Sequence, residues 1–143
     1  MLTPPHHAER IGPHWIWIEG DMCVTVIDGD TTPEHVIAMQ RKSRLLFDEF
    51  GFILSLVDAR QAGTITPEAR RLSASYQREH PVPGAVAVFG VGAVLRAINA
   101  LYSRAVAYLT NSQREMALFQ TEAEARAWLD GQRRRLRRPP TSP

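Results

Sequence analysis

FILSLVDAR, residues 52–60, decides the fold of this chain. Its apolar residues run almost without a break, as in a strand covered on both faces. Gln61-Ala62-Gly63 then loops to TPEARR (66–71), which opens a helix. There Thr66 caps the free amides, Pro67 suits the first helical position and Glu68 complements the dipole. A second apolar strand, AVAVFG (85–90), runs into a long apolar helix, and MALFQTEAEARAWL (116–129) joins a short strand to a last capped helix. Strands joined mostly through helices predict an α/β domain whose sheet is partly parallel and covered by helices.

Upstream, HWIWIEG (14–20) alternates as a strand does, with Trp15 and Trp17 on one face and Ile16 and Ile18 on the other. Gly20-Asp21 turns the chain into MCVTVIDG (22–29), so these two strands form an antiparallel hairpin. Thr32-Pro33-Glu34 opens the first helix, Gly51 stops it, and Val36, Met39, Leu46 and Phe50 recur at the spacing of a buried face. The helix after FILSLVD ends at Pro81 and Pro83, with Ala69, Leu72 and Tyr76 inward. Thr121 and Glu124 stand as a capping box for the last helix, whose inward face is Ala125, Trp128 and Leu129.

The chain has 143 residues, 44% of them hydrophobic and 22% charged, the size and composition of one ordinary globular domain. No apolar run reaches the roughly 18 residues that would span a bilayer. MLTPPHHAER carries no apolar signal core. One cysteine, Cys23, leaves no internal disulfide and fits a reducing, cytoplasmic setting; in the strand MCVTVI it reads as a buried, inert thiol. The isoelectric point of about 9.1 comes from one end. Arg133, Arg134, Arg135, Arg137 and Arg138 cluster there, and these five taken from 17 leave 12 basic residues against 15 acidic ones, a net charge of −3 over residues 1–131. No aromatic residue interleaves with them, so nucleic acid is not an expected partner. The expected organisation is a loose arm over 1–13, a folded body over 14–131 and a disordered basic tail over 132–143.

The helix over 91–109 stands apart. Val94, Ile98, Leu101 and Ala105 make one apolar row, and Val91, Leu95, Tyr102, Val106 and Leu109 make another beside it. That width exceeds what one sheet face normally covers. Three roles fit it: burial under the rest of the fold, an interface to a second copy or another protein, or the wall of a pocket for a small apolar ligand.

The LVDAR join (56–60), PEARR (67–71), VAVFG (86–90), the Arg96-bearing helix and FQTEAEARAWL (119–129), in this order, resemble the SpoIIAA-like branch of the STAS superfamily. These are small bacterial α/β domains related to CRAL-TRIO lipid-transfer domains. The resemblance spans residues 14–131 and implies a mixed sheet of four or five strands packed with about four helices, no cofactor, and a role in binding. STAS anti-sigma antagonists carry an Asp-Ser-Ser-Gly signature at the join after the central strand, where a serine is phosphorylated. The matching stretch here, GTITPEA (63–69), has Thr64 and Thr66 but neither the serine pair nor the following glycine. A phospho-switch would rest on those two threonines; Thr66 serves equally well as a plain helix cap.

Residues for other chemistry are scattered. Ser55 lies within an apolar strand, and no Gly-x-Ser-x-Gly elbow exists. His6, His7 and His14 lack a carboxylate or cysteine at ligand spacing, so no metal is expected, and His35 and His80 stand alone near helix ends. Gly90-Val91-Gly92 lacks the third glycine of a dinucleotide fingerprint and reads as close packing of strand on helix. Asp58 and Arg60 lie at the carboxyl end of the central strand, where open α/β sheets hold ligands; an ion pair that orders the loop explains them as well. The expectation is a non-enzymatic regulatory module that docks a protein partner, self-associating through the 91–109 helix. Asp58, Arg60, Arg96 and Tyr102 are its candidate binding residues. The alternative is a carrier of an apolar, lipid-like ligand, and the third reading is the phospho-switch.

Overall fold

The tight Gly20-Asp21 turn, with Gly20 at a φ of 63°, folds β2 (His14–Glu19) onto β3 (Met22–Thr31) as an antiparallel hairpin. In the computed structural model, which describes residues 1–92 and 114–137, this hairpin feeds a single six-stranded sheet. The other elements are β1 (Glu9–Ile11), α1 (Pro33–Phe50), β4 (Ile53–Ile65), α2 (Pro67–Glu79), β5 (Gly84–Phe89), β6 (Arg114–Phe119) and α3 (Glu122–Arg137). The strands lie in chain order; β1, β2 and β3 pair antiparallel, while β3, β4, β5 and β6 pair parallel.

Register lines the core up in rows. Val24, Leu56 and Ala87 are cross-strand neighbours, as are Val26, Asp58 and Phe89. Together with Trp17, Met22, Leu54 and Ala85 these side chains form one face, and α3 lies on it through Ala125 and Leu129. Alanine on both sides, Ala85 and Ala87 under Ala125, lets the helix come close to the sheet. The opposite face gathers Ile16, Cys23 and Leu46, with Ile18, Met39 and Phe50 partly buried, and α1 covers it. Both tryptophan and isoleucine alternations in β2 therefore sort as the sequence predicts. Among the described residues no helix is long and apolar enough to cross a membrane.

The helix caps form as expected. Thr32 Oγ1 accepts the His35 amide, Thr66 Oγ1 accepts the Ala69 amide, and Thr121 and Glu124 bond reciprocally. Gly51 ends α1 in the left-handed conformation at φ 81°.

Four expectations need correction. The sheet has six strands, not four or five, because Glu9–Ile11 pairs with His14–Ile16. Residues 1–13 are thus no loose arm: Leu2 and Ala8 also pack on the core, and Glu9 bonds Lys42 at 2.8 Å. β4 runs seven residues past Asp58 to Ile65, where a loop at 61–63 was expected, because β3 stays paired with it from Asp28↔Gln61 to Thr31↔Ile65. The basic tail is helical to Arg137, since Arg133 and Arg137 bond the buried Asp21 at the hairpin turn. Three helices are present among the described residues. The fourth expected helix, over 91–109, lies outside them from residue 93 onward, and so do Arg96, Tyr102 and the interface proposed there.

Leu129→Ala removes a side chain only 1% exposed between α3 and the sheet. In urea unfolding it is expected to cost about 2–5 kcal/mol. Leu45→Ala, at a position 56% exposed on α1, is expected to change stability by less than about 0.5 kcal/mol.

Candidate functional site

β5 stops at Phe89, level with Asp58, but β3 and β4 continue. The result is a two-stranded ledge at the carboxyl end of the parallel strands, where this class of sheet usually places a site. Asp58 sits at its root, almost fully buried. Its Oδ1 accepts from the Arg60 backbone amide at 3.1 Å and Arg60 Nε at 3.0 Å; its Oδ2 accepts from Arg60 Nη2 at 2.8 Å and the Leu2 amide at 2.7 Å. Burial pushes the carboxyl group up, yet the bonds from Arg60 and Leu2 outweigh it and hold Asp58 below the usual carboxylate range. The Arg60 guanidinium lies 5.1 Å from the centre of the Phe89 ring.

Gly90 completes this arrangement. It holds a φ of 85°, and a Cβ there would lie 2.3 Å from Arg60 Cγ. Glycine is thus needed at position 90 for the approach of Arg60; the helix against which the Gly-Val-Gly spacing was read as packing lies outside the described residues. Asp58 and Arg60 do form an ion pair, but within β4 and with a buried carboxylate, not on the loop expected there.

Farther out, Asp30 on β3 clamps β4. Its Oδ1 accepts from the Thr64 amide at 2.8 Å and from Thr64 Oγ1 at 3.1 Å, and these bonds keep its carboxyl below the ordinary range. Gly63 is required beside it, since a Cβ would lie 2.3 Å from that same Oδ1. Thr66 caps α2, and its amide donates to the Thr31 carbonyl at 3.2 Å. Both threonines singled out for phosphorylation therefore have structural partners. Arg60 through Ile65 are nevertheless exposed, with Ile65 at 50%. Among the described residues no strand pairs with Gln61–Ile65 on the side away from β3.

The remaining candidates are structural as well. Burial pushes the Cys23 thiol up to about 11, so at neutral pH it is a protonated thiol and a poor nucleophile. Among the described residues no cluster of metal-ligating side chains exists. His14, read as one of three loosely grouped histidines, is fully buried and bonded at both ring nitrogens to β3. His35, read as standing alone, supplies the side-chain half of the α1 capping box, accepting the Thr32 amide at Nδ1. A capping box usually draws on Glu or Gln at that position, so only the Thr32–His35 spacing signalled it.

On the opposite end, Glu19, Met22, Arg126, Leu129, Asp130 and Arg133 line a cleft of about 230 Å³ between the hairpin and α3. Arg126 bonds Glu19 and Glu122, and Arg133 bonds Asp21 and Asp130. The cleft walls are therefore paired ions over an apolar floor.

Asp58→Asn weakens the four-bond cluster by removing its charge. The expected loss is about 1–3 kcal/mol, measured by denaturant unfolding at pH 7. Because the folded carboxyl lies below its unfolded value, the native protein owes this stability to the ionised form; it is present above about pH 4 and disappears as pH falls through the folded value. The acid limb of the stability curve should be shallower in the variant.

No protein-family model matches the sequence, and no curated protein does. Among solved structures, the chain is similar to an uncharacterized protein of the DUF3478 family with a SpoIIAA-like fold from Shewanella loihica PV-4. The two share 18% identity and superpose with a TM-score of 0.58 over 90% of this chain and 98% of the other. With the parallel β3–β6 core and α3 closing one face, the molecule has a SpoIIAA-like α/β fold.

Proposed function

We propose that this protein is a non-enzymatic STAS-like docking module in bacterial, cytoplasmic regulation, and that the ledge formed by β3 and β4 is where its protein partner binds. One observation supports this above others: β4 outruns β5, leaving Gln61–Ile65 exposed with an open edge among the described residues. An open edge offers unpaired backbone groups to an added strand, and neighbouring side chains supply selectivity. The charged groups at the root of the ledge are already spent on internal bonds, as Asp58 is on Arg60 and Leu2 and Asp30 is on Thr64. That leaves shape, backbone and the exposed Ile65 as the means of recognition.

Two further parts of the proposal lie elsewhere. Self-association is assigned to the 91–109 helix, with Arg96 and Tyr102 among its binding residues, and that segment falls outside the described residues from residue 93 onward. A carrier of an apolar ligand would use the same helix as a pocket wall. The cleft beside α3 does not serve that purpose, because four of its six lining residues are charged.

A photo-crosslinking residue at Gln61 and another at Arg41, on the far side of α1, test the docking surface in cells of the native host. The expected result is a discrete protein adduct from position 61 only, reduced at least tenfold when Ile65→Arg is added. Ile65 is half exposed, so that change should leave stability within about 0.5 kcal/mol. Equal adducts from both positions, or an adduct indifferent to Ile65→Arg, would remove the ledge as the docking surface.

A further inference from the structure

His14 and His35 meet edge to face, with ring centres 4.9 Å apart, beside the outer part of the ledge. Each accepts a backbone amide proton at Nδ1: His14 from Asp28 at 2.9 Å and His35 from Thr32 at 3.1 Å. His14 Nε2 lies 3.0 Å from the Asp30 carbonyl and 3.4 Å from Thr31 Oγ1. A carbonyl only accepts, so His14 must carry its proton on Nε2 and keep Nδ1 bare. This is the neutral ring in one tautomer.

A protonated imidazole has two N–H donors and no acceptor. In His14⁺ the new Nδ1 proton would point at the Asp28 N–H, and the bond between them could not survive. The ring is fully buried, so it has no solvent to turn toward. His35 from α1 faces it with a second titratable ring, and the Asp28 carboxylate from β3 is the counter-charge that favours the cation. Around His35 stand Glu34 on its own helix and the Gly12 backbone, whose carbonyl accepts Arg10 Nε at 3.3 Å. Burial, then His35, hold the His14 ring below its ordinary value, and the Asp30 and Asp28 contributions do not restore it.

We propose that the His14–His35 pair is an acid-operated latch that holds the β3 side of the ledge closed at neutral pH and releases it on protonation of His14. The released segment is short. It comprises Asp28–Thr32 and the β4 residues it pairs with, Gln61 to Ile65. β3 is irregular there, with register breaks between Val26 and Asp28 and between Gly29 and Thr31, so few ladder bonds resist the opening. The bond lost is at Asp28, which pairs with Gln61 on β4, so the opening starts at that register position and reaches Asp30 and its Thr64 clamp two residues on. The apolar rows from Met22 to Val26 stay in place beneath. This latch rests on hydrogen-bond geometry and stands whether or not the ledge docks a protein.

The sign follows from linkage. The open state binds a proton near the ordinary histidine value of about 6.5, while the closed state resists it. Opening therefore grows as pH falls below about 6.5, by up to about tenfold per pH unit for one proton, until the closed ring itself titrates.

Amide hydrogen exchange by NMR on the full chain, from pH 7.5 to 5, reads this directly. The Asp28, Thr32, Thr64 and Thr66 amides should lose protection together by up to about tenfold per unit below pH 6.5, while the Ile53 amide, bonded to Pro83, keeps its protection. His14→Gln offers an acceptor and a donor to the same partners without titrating, and should flatten the response. Should that variant fail to fold, ring ¹⁵N shifts of the wild-type protein decide: His14 must show a bare Nδ1 and a protonated Nε2 at pH 7.5. Unchanged protection of the four amides at pH 5, or a doubly protonated His14 in the closed state above pH 6.5, would overturn the latch.

Discussion

Everything in this molecule hangs on the parallel pairing of β3 with β4. It begins in the core, Met22 beside Leu54, and ends in the open, Thr31 beside Ile65. Over its first half, side chains do the work: Val24, Val26, Leu54 and Leu56 are wholly buried, and the backbone bonds they cover are shielded from water. Over its second half the β4 residues from Arg60 to Ile65 are exposed. There the pairing is kept by specific polar clamps, His14 on Asp28 and Asp30, and Asp30 on Thr64. One strand pair thus runs from a regime of hydrophobic burial into a regime of hydrogen bonds, and Asp58 marks the boundary.

The far end of the sheet is held by charge. Asp21 lies in the hairpin turn, 7% exposed, and accepts bonds from both Arg133 and Arg137. Burial pushes its carboxyl up, and the two guanidinium groups more than reverse that. A carboxylate so placed must be paired, because an unpartnered charge out of water is costly. The pairing draws the end of α3 down over Trp17 and Met22, and Arg126 repeats the motif one turn from the helix start by joining Glu19. The arginine cluster that raises the isoelectric point is in good part a structural clasp.

The sequence was readable wherever the physics is local. Alternation in HWIWIE, the Thr-Pro-Glu caps, the Thr121–Glu124 box and the inward Ala125 and Leu129 are short-range patterns, and all are present. What escaped was long-range or out of character. Glu-Arg-Ile at 9–11 is three residues flanked by breakers, a strand only because β2 offers an edge. Ala-Arg-Gln-Ala-Gly-Thr has the composition of a turn, yet β3 holds it extended. Arg133 meets Asp21 across 112 positions, which no window along the chain connects. At the candidate site, Asp58 and Arg60 were visible as a pair, but their closure by the Leu2 amide and the need for Gly90 were not. His14 and His35 come together only because the β1–β2 turn folds over the start of α1.

The contrast between the two halves of β4 bears on where function can reside. Opening the core rows would expose the side chains that stabilise the whole domain, so their fluctuations cost nearly the global free energy. Opening the ledge breaks a handful of polar bonds and uncovers little apolar surface, so it costs far less and leaves the rest folded. A site built there can change shape without unfolding its support. The irregular β3 register and the glycines at 29 and 63 fall within this one segment, and the paired histidines of β2 and α1 abut it. Natural sequences depart from regular strand geometry and store buried ionisable groups mainly where movement or recognition is needed. The concentration of such departures at the ledge, against regular packing elsewhere in β4, is the physical reason to look for this protein's activity there and not in the charged cleft beside α3.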